Sequence, residues 1–275
     1  MTDIHRPVIQ VQPHYEFREE WEVLAAAEGL SYEALDFSMP PALIESGLFE
    51  EYLDWYSSCG RTFSLHGFFM DVNPACSDPG IRDLSRSRCR KSCETAVACG
   101  AKNVVFHSSC FPFLRGIYLD AWAARCAEFY QGLTEEFDIN IYIENSPDID
   151  AGPIKTLMKR IDDKRIGVCL DIGHAHYSNI PVSQWFEELG EWIGYLHLSD
   201  NMGKYDDHLP LGDGTIDWEE ADRLWRGLDR DTVLTIEVSS MVTAGYAVKF
   251  LRNNDYFGCG GEKQWMTRHR LYTAG

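Results

Sequence analysis

Eight short segments rich in β-branched and aromatic residues recur along nearly the whole chain, and they limit its fold more than any other feature. They predict strands at 7–11, 32–37, 62–66, 103–107, 139–144, 167–171, 193–197 and 232–237. Residues with helical spacing lie between them, for instance at 19–27, 81–99, 119–137 and 182–189. Strands that alternate with helices in this way form a parallel sheet that closes on itself, so we expect an α/β fold, a (β/α)8 TIM barrel.

The length of the chain and the spacing of its strands agree with a single barrel. Glu144 and Asp171 end two consecutive predicted strands 27 residues apart, and a barrel of roughly 250 residues divides into eight units of about 31. No linker rich in Pro, Gly or Ser divides the 275 residues, so we expect one domain over 1–275. The stretch 256–275 lacks clear periodicity, and we interpret it as a tail that covers the barrel or contacts another subunit of a homo-oligomer.

The composition disfavours several locations and partners. No apolar run is long enough to span a bilayer, and the first residues lack the apolar core of a secretory signal. The nine cysteines are scattered and form no CxxC pair, which favours reduced thiols in a cytoplasmic protein over a disulfide framework. Because a net charge of −18 repels polyphosphates and anionic membranes, we expect a small-molecule substrate rather than nucleic acid.

Three carboxylates end apolar runs in the second half of the chain. Glu144, Asp171 and Glu237 each close a predicted strand, and His197 closes the strand between the last two. A carboxylate buried there without a partner is unfavourable by several kcal/mol. Taken singly, each is explained equally well by a salt bridge or a helix cap. Because the strand ends of a barrel converge on one face, joint ligation of a divalent metal ion explains the set better.

Five further residues could bind a metal ion or a polar substrate, and they lie at strand ends or in the loops that follow: His66, His107, His174, Asp206 and His208. Gly173 allows a tight strand-to-helix turn that points His174 to the same face. Asp206 and His208 are two residues apart in the loop 198–217, which is a weak signal by itself. A lone histidine at a strand end is more often a hydrogen-bonded core or loop residue, so both interpretations stay open for His66 and His107.

Aromatic residues occur in the loops after the third and fourth predicted strands, among them Phe69 and Phe111. At the mouth of a barrel, such rings could form the apolar wall against which a sugar packs. Packing within the loops explains them equally well.

With these residues in place, the chain resembles the xylose isomerase-like TIM-barrel superfamily, which holds sugar phosphate isomerases and epimerases alongside endonuclease IV. The segments that carry the resemblance are 65–74, 104–107, 143–145, 171–175 and 196–218, together with Glu237. They run over strands three to eight, and the order of strands and helices extends the resemblance over nearly the whole chain. The set is specific for the superfamily but does not identify the individual member.

The resemblance to the isomerases and epimerases implies an enzyme that acts on a small sugar or sugar-like polyol. It implies one divalent ion (Mn, Mg, Co or Zn), held by Glu144, Asp171, His197 and Glu237. Glu144 and Glu237 would also be catalytic, moving protons through an enediolate intermediate. We assign substrate binding to His66, His107, His174, His208, Phe69 and Phe111.

Other activities fit the same residues. A dehydratase or lyase on a sugar-like substrate stays open, because an enediolate can also lose water, and a barrel that only binds a ligand is a further alternative. Endonuclease IV uses three zinc ions, and the ligands would correspond to the four residues above with His66, His107, His174, Asp206 and His208. The loop 38–47 carries no Arg or Lys, and Arg82, Arg115 and Lys204 are the main basic residues of the other mouth loops, which disfavours DNA.

Overall fold

Eight parallel strands pair in sequence order and close into a barrel through the pairing of the first strand with the last. The computed structural model describes residues 7–228 and 230–260. The strands are β1 (Val8–Val11), β2 (Ser31–Ala34), β3 (Thr62–His66), β4 (Asn103–His107), β5 (Asn140–Glu144), β6 (Ile166–Asp171), β7 (Ile193–Leu198) and β8 (Val233–Ile236). The prediction of a (β/α)8 barrel is confirmed.

Helices connect the strands and cover the outside of the barrel. They are α1 (Arg18–Glu28), α2 (Pro40–Glu45), α3 (Phe49–Ser58), α4 (Pro79–Cys99), α5 (Ile117–Glu136), α6 (Gly152–Met158), α7 (Ile172–Tyr177), α8 (Val182–Leu189), α9 (Trp218–Trp225) and α10 (Met241–Asn254). Single 3-10 turns lie at Tyr15–Phe17, Asp36–Ser38 and Tyr256–Gly258. In the described ranges, no helix combines the length and the apolar character that crossing a bilayer requires.

Apolar packing lies between the helices and the sheet, whereas the inside of the barrel is partly polar. Large side chains such as Trp21, Trp122 and Trp185 are fully buried in the outer layer. Inside, Gln10 on β1 donates from Nε2 to Tyr195 Oη at 2.7 Å and to Ser64 Oγ at 3.1 Å. This hydrogen-bonded layer supports the strand ends, where the loops after β3 to β8 meet.

The second strand is shorter than the sequence predicted. The segment 32–37 was expected to be a strand, but β2 ends at Ala34 and Asp36 begins a 3-10 turn. Oδ2 of Asp36 accepts hydrogen bonds from the backbone N–H of Tyr15 at 2.8 Å and from Tyr56 Oη at 2.9 Å. These tertiary contacts draw the chain out of the sheet, and single-sequence periodicity does not report them.

Two further segments differ from the sequence-based expectation. Helix α2 occupies most of the stretch 38–47, which was interpreted as a loop; it begins at Pro40, where a proline suits the first turn. Of the tail 256–275, only the first part is described: the Phe257 ring is buried against Trp218 and Trp225, with centroids 6.3 and 5.7 Å away. Residues 261–275 lie outside the described residues, so the interpretation of the tail stays a prediction.

Candidate metal and substrate site

A cavity of about 290 Å³ opens where the C-terminal ends of the strands meet. Residues from the ends of β1, β3, β4, β5, β6 and β8 and from the following loops line it: Gln12, His14, Leu35, His66, Phe69, His107, Glu144, His174, Asp206, His208, Glu237, Val238 and Ser239. The structure thus brings most of the residues singled out in the sequence to one face of the barrel, as the parallel strand order requires.

The four residues predicted to hold a metal ion lie together. One candidate ligand atom each from Glu144, Asp171, His197 and Glu237 lies within 4.8 Å of the other three. Asp171 and His197 are direct neighbours in the register of β6 and β7. Nδ1 of His197 is 3.1 Å from Glu237 Oε2 and 3.6 Å from Glu144 Oε1, and its distance to Asp171 Oδ2 is 3.9 Å.

Each of the four residues has one buried polar atom that makes no hydrogen bond. In the described part of the chain, these buried atoms are Glu144 Oε2, Asp171 Oδ2, His197 Nδ1 and Glu237 Oε2. Buried polar atoms are rarely unpaired, so such a set needs an explanation. A divalent cation provides one, because carboxylates and a neutral imidazole are its donors and its charge offsets theirs. The residues present therefore fit a metal ion.

Glu144 also contacts three histidines, and its side chain is only 1% exposed. Oε2 lies 3.3 Å from His66 Nε2 and 3.4 Å from His107 Nε2, while Oε1 lies 3.2 Å from His174 Nδ1. Nδ1 of His66 is 3.0 Å from the Gly67 carbonyl oxygen; an N–H donated there leaves Nε2 free to face Glu144. His66, His107 and Glu144 thereby form a second group that could hold a cation.

Asp206 joins two of the predicted substrate-binding histidines. Its Oδ2 accepts from His174 Nε2 at 3.1 Å and from His208 Nε2 at 3.0 Å. The other nitrogen of His208, Nδ1, lies 3.1 Å from the Glu237 carbonyl oxygen, so it donates there. His208 has a φ of 47°, a conformation that non-glycine residues rarely adopt. The loop after β7 is thus tied to helix α7 and to the end of β8.

The histidines hold two of the carboxylates in their charged form. Burial opposes ionisation of Glu144, but the imidazoles of His107, His197 and His174 more than offset it and hold its pKa well below the usual range. Burial likewise opposes ionisation of Glu237, whose pKa the adjacent His197 imidazole lowers. Two charged carboxylates in the lining of one cavity favour the binding of a cation.

Two other groups at the site titrate away from their usual range. Burial raises the pKa of Asp171 to about 7, and the charges of Glu237 and Glu144 add to this effect. Burial lowers the pKa of His107 to about 4, so its imidazole is neutral at neutral pH and its lone pair is available. The pocket therefore presents neutral and anionic donors together.

The turn from β6 into α7 places His174, as the sequence predicted. Asp171 caps the helix with Oδ1, which accepts from the His174 backbone N–H at 2.6 Å. A Cβ atom at Gly173 would lie 2.7 Å from Ser199 Oγ, which is too close. Glycine therefore lets the turn pass against β7 and leaves the second carboxylate oxygen of Asp171 pointing to the other ligands.

Asp200 organises the long loop after β7. Oδ2 accepts from the Gly212 backbone N–H at 2.9 Å and from Trp218 Nε1 at 2.8 Å, while Oδ1 accepts from the Ile216 N–H at 3.2 Å. Its backbone also pairs with Leu209 in an antiparallel bridge. These contacts close the loop that carries Asp206 and His208 over the cavity.

Sequence reasoning missed several residues of the site, and Glu33 and Gln12 are the two that contact the proposed metal ligands. Glu33 on β2 is fully buried, and its Oε2 lies 3.1 Å from His197 Nε2. Gln12, one residue after β1, donates from Nε2 to Glu33 Oε1 at 2.9 Å and to Glu237 Oε1 at 3.0 Å. The available signal was a glutamate inside a predicted strand, between Tyr32 and Ala34.

The two aromatic residues assigned to substrate binding differ in position. Phe69 lines the cavity, and its ring centroid is 5.4 Å from that of His66 and 4.9 Å from that of His107. The Phe111 ring is 62% exposed and packs against Phe113 with a centroid distance of 5.8 Å. Its assignment to substrate binding stays a prediction.

The three basic residues expected in the mouth loops do not line the cavity, and Arg82 belongs to the first turns of α4. Arg82 donates to the Cys76 carbonyl oxygen at 2.9 Å, and Arg115 pairs with Asp150 at 3.3 Å. Lys204 is exposed. Among the described residues that line the cavity, none is Arg or Lys.

Comparison with known proteins identifies a family with this fold. The profile of a family described as "Xylose isomerase-like TIM barrel" matches residues 24–254. Uncharacterized protein MJ1311 of Methanocaldococcus jannaschii is 30% identical over 185 residues, which are 63% of this chain and 63% of that protein. The match thus spans less than two thirds of the length of this relative.

Two solved structures share the fold over most of the chain. The crystal structure of a D-tagatose 3-epimerase-like protein has a TM-score of 0.68 and 25% identity, and the match covers 85% of this chain and 90% of that one. Protein TTHB071 of Thermus thermophilus, solved after soaking with ZnCl2, has a TM-score of 0.73 and 24% identity, with 92% of this chain and 99% of that one covered.

Proposed function

The chain belongs to the xylose isomerase-like TIM-barrel family, and we propose that it is a metal-dependent isomerase or epimerase of a small sugar or sugar-like polyol. The observation that carries the proposal is the set of four buried, unpartnered ligand atoms on Glu144, Asp171, His197 and Glu237. The similarity to a D-tagatose 3-epimerase-like protein supports the sugar substrate.

A bound divalent ion would supply charge stabilisation for the oxyanion that develops when a proton leaves the carbon next to a carbonyl. Glu144 and Glu237 are the two groups that would move protons, one on each side of an enediolate. Glu237 keeps a 12% exposed side chain, so it reaches the cavity, whereas Glu144 is at its base. Gln12 holds Oε1 of Glu237 at 3.0 Å and thereby orients the carboxylate.

The other residues of the cavity would bind and orient the sugar. Asp206 holds His174 and His208 beside the cavity, where the three side chains would shape the space for the sugar. Phe69 provides an apolar wall against which a sugar ring packs. The lack of Arg and Lys in the described lining favours an uncharged sugar over a phosphorylated one.

A second candidate, phosphodiester cleavage with three zinc ions, is favoured by one observation. Besides the four-residue group, His66 and His107 contact Oε2 of Glu144, and Asp206 joins two more histidines, so all nine residues that correspond to the nuclease ligands lie at one end of the barrel. We place it below the isomerase because the described lining carries no cation for a phosphate backbone. A dehydratase would use the same site and differ in its product.

The experiment is a solvent-exchange screen. The metal-free protein is loaded separately with Mn²⁺, Mg²⁺, Co²⁺ or Zn²⁺ and incubated in deuterated water with free and phosphorylated ketoses. We expect deuterium in the substrate and a new epimer or isomer with at least one metal, and loss of both in Glu144→Gln and Glu237→Gln. The exposed Glu187→Gln on α8 is the matched control and should react like the wild type.

Three results would contradict the proposal. Three zinc ions per chain together with nicking of an abasic duplex would assign the second candidate. Full activity of Glu144→Gln or Glu237→Gln on the identified sugar would remove the two carboxylates from the proton transfer. A dehydrated product would keep the site and change the reaction class.

A further inference from the structure

A buried glutamate inside the barrel faces the side of His197 that points away from the cavity. Glu33 on β2 and His197 on β7 are both fully buried, and 164 residues separate them in the sequence. His197 Nε2 lies 3.1 Å from Glu33 Oε2, while Nδ1 lies 3.1 Å from Glu237 Oε2. The imidazole is therefore held between a carboxylate below it and the candidate metal ligands above it.

The donors around Glu33 fix it as an acceptor. Thr235 Oγ1 donates to Oε2 at 2.9 Å, and Tyr195 Oη makes a short hydrogen bond to the same atom. Tyr195 in turn accepts from Gln10 Nε2 at 2.7 Å, so its own proton is directed to Glu33. On the other oxygen, Oε1 accepts from Gln12 Nε2 at 2.9 Å. Because its oxygen atoms accept hydrogen bonds from all these donors, the Glu33 carboxylate is stabilised in its ionised form.

This accounting determines which nitrogen of His197 carries hydrogen. An ionised carboxylate only accepts, so Nε2 must be the N–H that donates to Glu33. In the neutral imidazole, Nδ1 then has its lone pair directed at Glu144, Glu237 and Asp171, whose oxygen atoms are also acceptors. A nitrogen placed among carboxylate oxygens needs a cation between it and them, which is a second proton in the metal-free protein; a divalent ion would take the place of that proton. Carboxylates that hold a metal-bound histidine in this way are common around protein metal sites.

We propose that Glu33 is a positioning residue that holds His197 with Nε2 protonated and Nδ1 free to bind the metal ion. The same side chain acts on a second ligand, because Gln12 connects Glu33 Oε1 with Glu237 Oε1 through one amide nitrogen. One buried carboxylate thus aligns two of the four proposed ligands. The inference rests on the proposed metal site, and it assigns to Glu33 no contact with substrate.

The first test measures metal affinity, which does not depend on turnover. Metal-free wild type and Glu33→Gln are titrated calorimetrically with the ion that loads the wild type. Glutamine keeps the shape of the side chain but replaces an acceptor by a donor, so we expect an affinity about 10- to 100-fold lower. The matched control is Asn103→Ala, which removes a buried interior amide bonded to Ser64 and Asn140 away from the ligands. It should lose thermal stability and keep its metal affinity within about twofold.

The second test uses the wild type, so it does not depend on whether a variant folds. In the zinc-loaded, 15N-labelled protein, we expect the His197 ring to show a protonated Nε2 with a hydrogen-bonded proton and a metal-shifted Nδ1. Zinc bound through Nε2 would overturn the inference. So would an unchanged affinity in Glu33→Gln when the wild type binds the ion. A wild type that binds no divalent ion would overturn both the proposed function and the role of Glu33. An unchanged affinity in Glu33→Gln would overturn the role of Glu33 alone, so the two failures can be told apart.

Discussion

The side-chain amide of Asn145 hydrogen-bonds both the backbone N–H and the backbone carbonyl of Asp171. Nδ2 donates to the Asp171 carbonyl oxygen at 3.0 Å, and the Asp171 N–H donates to Oδ1 at 2.7 Å. Both residues are buried. Because Asn145 directly follows Glu144, this pair of hydrogen bonds fixes the end of β5 against the end of β6 and sets the separation of two proposed metal ligands.

Replacing Asn145 should therefore destabilise the fold. In Asn145→Ala, a buried N–H and a buried carbonyl lose their partners, and we expect the free energy of unfolding to fall by about 2–4 kcal/mol. Urea unfolding of the metal-free protein measures this loss. Asn254→Ala is the control, since its amide caps an exposed turn of α10 and its removal should change the free energy by about 0.5 kcal/mol or less. Equal losses in the two variants would contradict a stabilising role for the pair of hydrogen bonds between Asn145 and Asp171.

The loop after β7 should depend on Asp200. Asp200→Ala removes the acceptor for Gly212, Ile216 and Trp218, so we expect faster hydrogen exchange over 201–217 and a loss of about 2–4 kcal/mol in the free energy of unfolding. Asp213→Ala changes an exposed aspartate of the same loop and should leave the exchange unchanged. Protection in Asp200→Ala equal to that of the wild type would show that other contacts hold the loop.

A pH-dependent stability effect should come from Asp148. This carboxyl is buried, accepts from Ser108 Oγ, and burial raises its pKa to about 7 from 3.8. Between these two values the folded state keeps a proton that the unfolded state releases, so the wild type loses stability as the pH rises from about 4 to about 7. Asp148→Asn avoids this loss.

We expect the stability gained in Asp148→Asn to be about 2–3 kcal/mol larger at pH 8 than at pH 5. Urea unfolding of metal-free protein at the two pH values checks this, and the exposed Asp138→Asn should show no such difference. Parallel pH curves for Asp148→Asn and the wild type would mean that the Asp148 carboxyl titrates in its usual range.

The two aromatic residues should differ in their effect on substrate binding. Phe69 lines the cavity, and loss of its ring in Phe69→Ala should raise KM for the identified sugar about tenfold, or about 1.4 kcal/mol, with little change in kcat. Phe111 is exposed, so Phe111→Ala should change KM by about twofold or less. A similar rise in both variants would instead support the sequence-based assignment of Phe111 to the substrate.

Much of the fold could be predicted because each strand carries its own local signal. The apolar runs that end at His66, His107 and Glu144 became strands with the predicted ends. The convergence of Glu144, Asp171 and His197 was also predictable, since parallel order alone puts the C-terminal ends of the strands on one face. The end of β2 was not, because Asp36 leaves the sheet to bind Tyr15 and Tyr56, contacts that lie elsewhere in the sequence.

Glu33 escaped sequence reasoning for a physical reason. In a strand of only four residues, alternation does not tell which side chains face the inside of the barrel. The partners that make a buried charge tolerable, His197 and Thr235, lie on β7 and β8, far along the chain. Only the closed geometry shows that they meet.

Closure of the barrel also determines when the site is complete. Gln12 lies next to β1, and Glu237 follows β8, whose pairing with β1 is the contact between the two most distant strands. A nascent chain that still lacks β8 therefore contains seven of the eight strands but neither Glu237 nor a fixed Gln12. Such a chain lacks the complete set of proposed ligands during synthesis, so binding of a metal ion would report that the two ends of the sheet have joined.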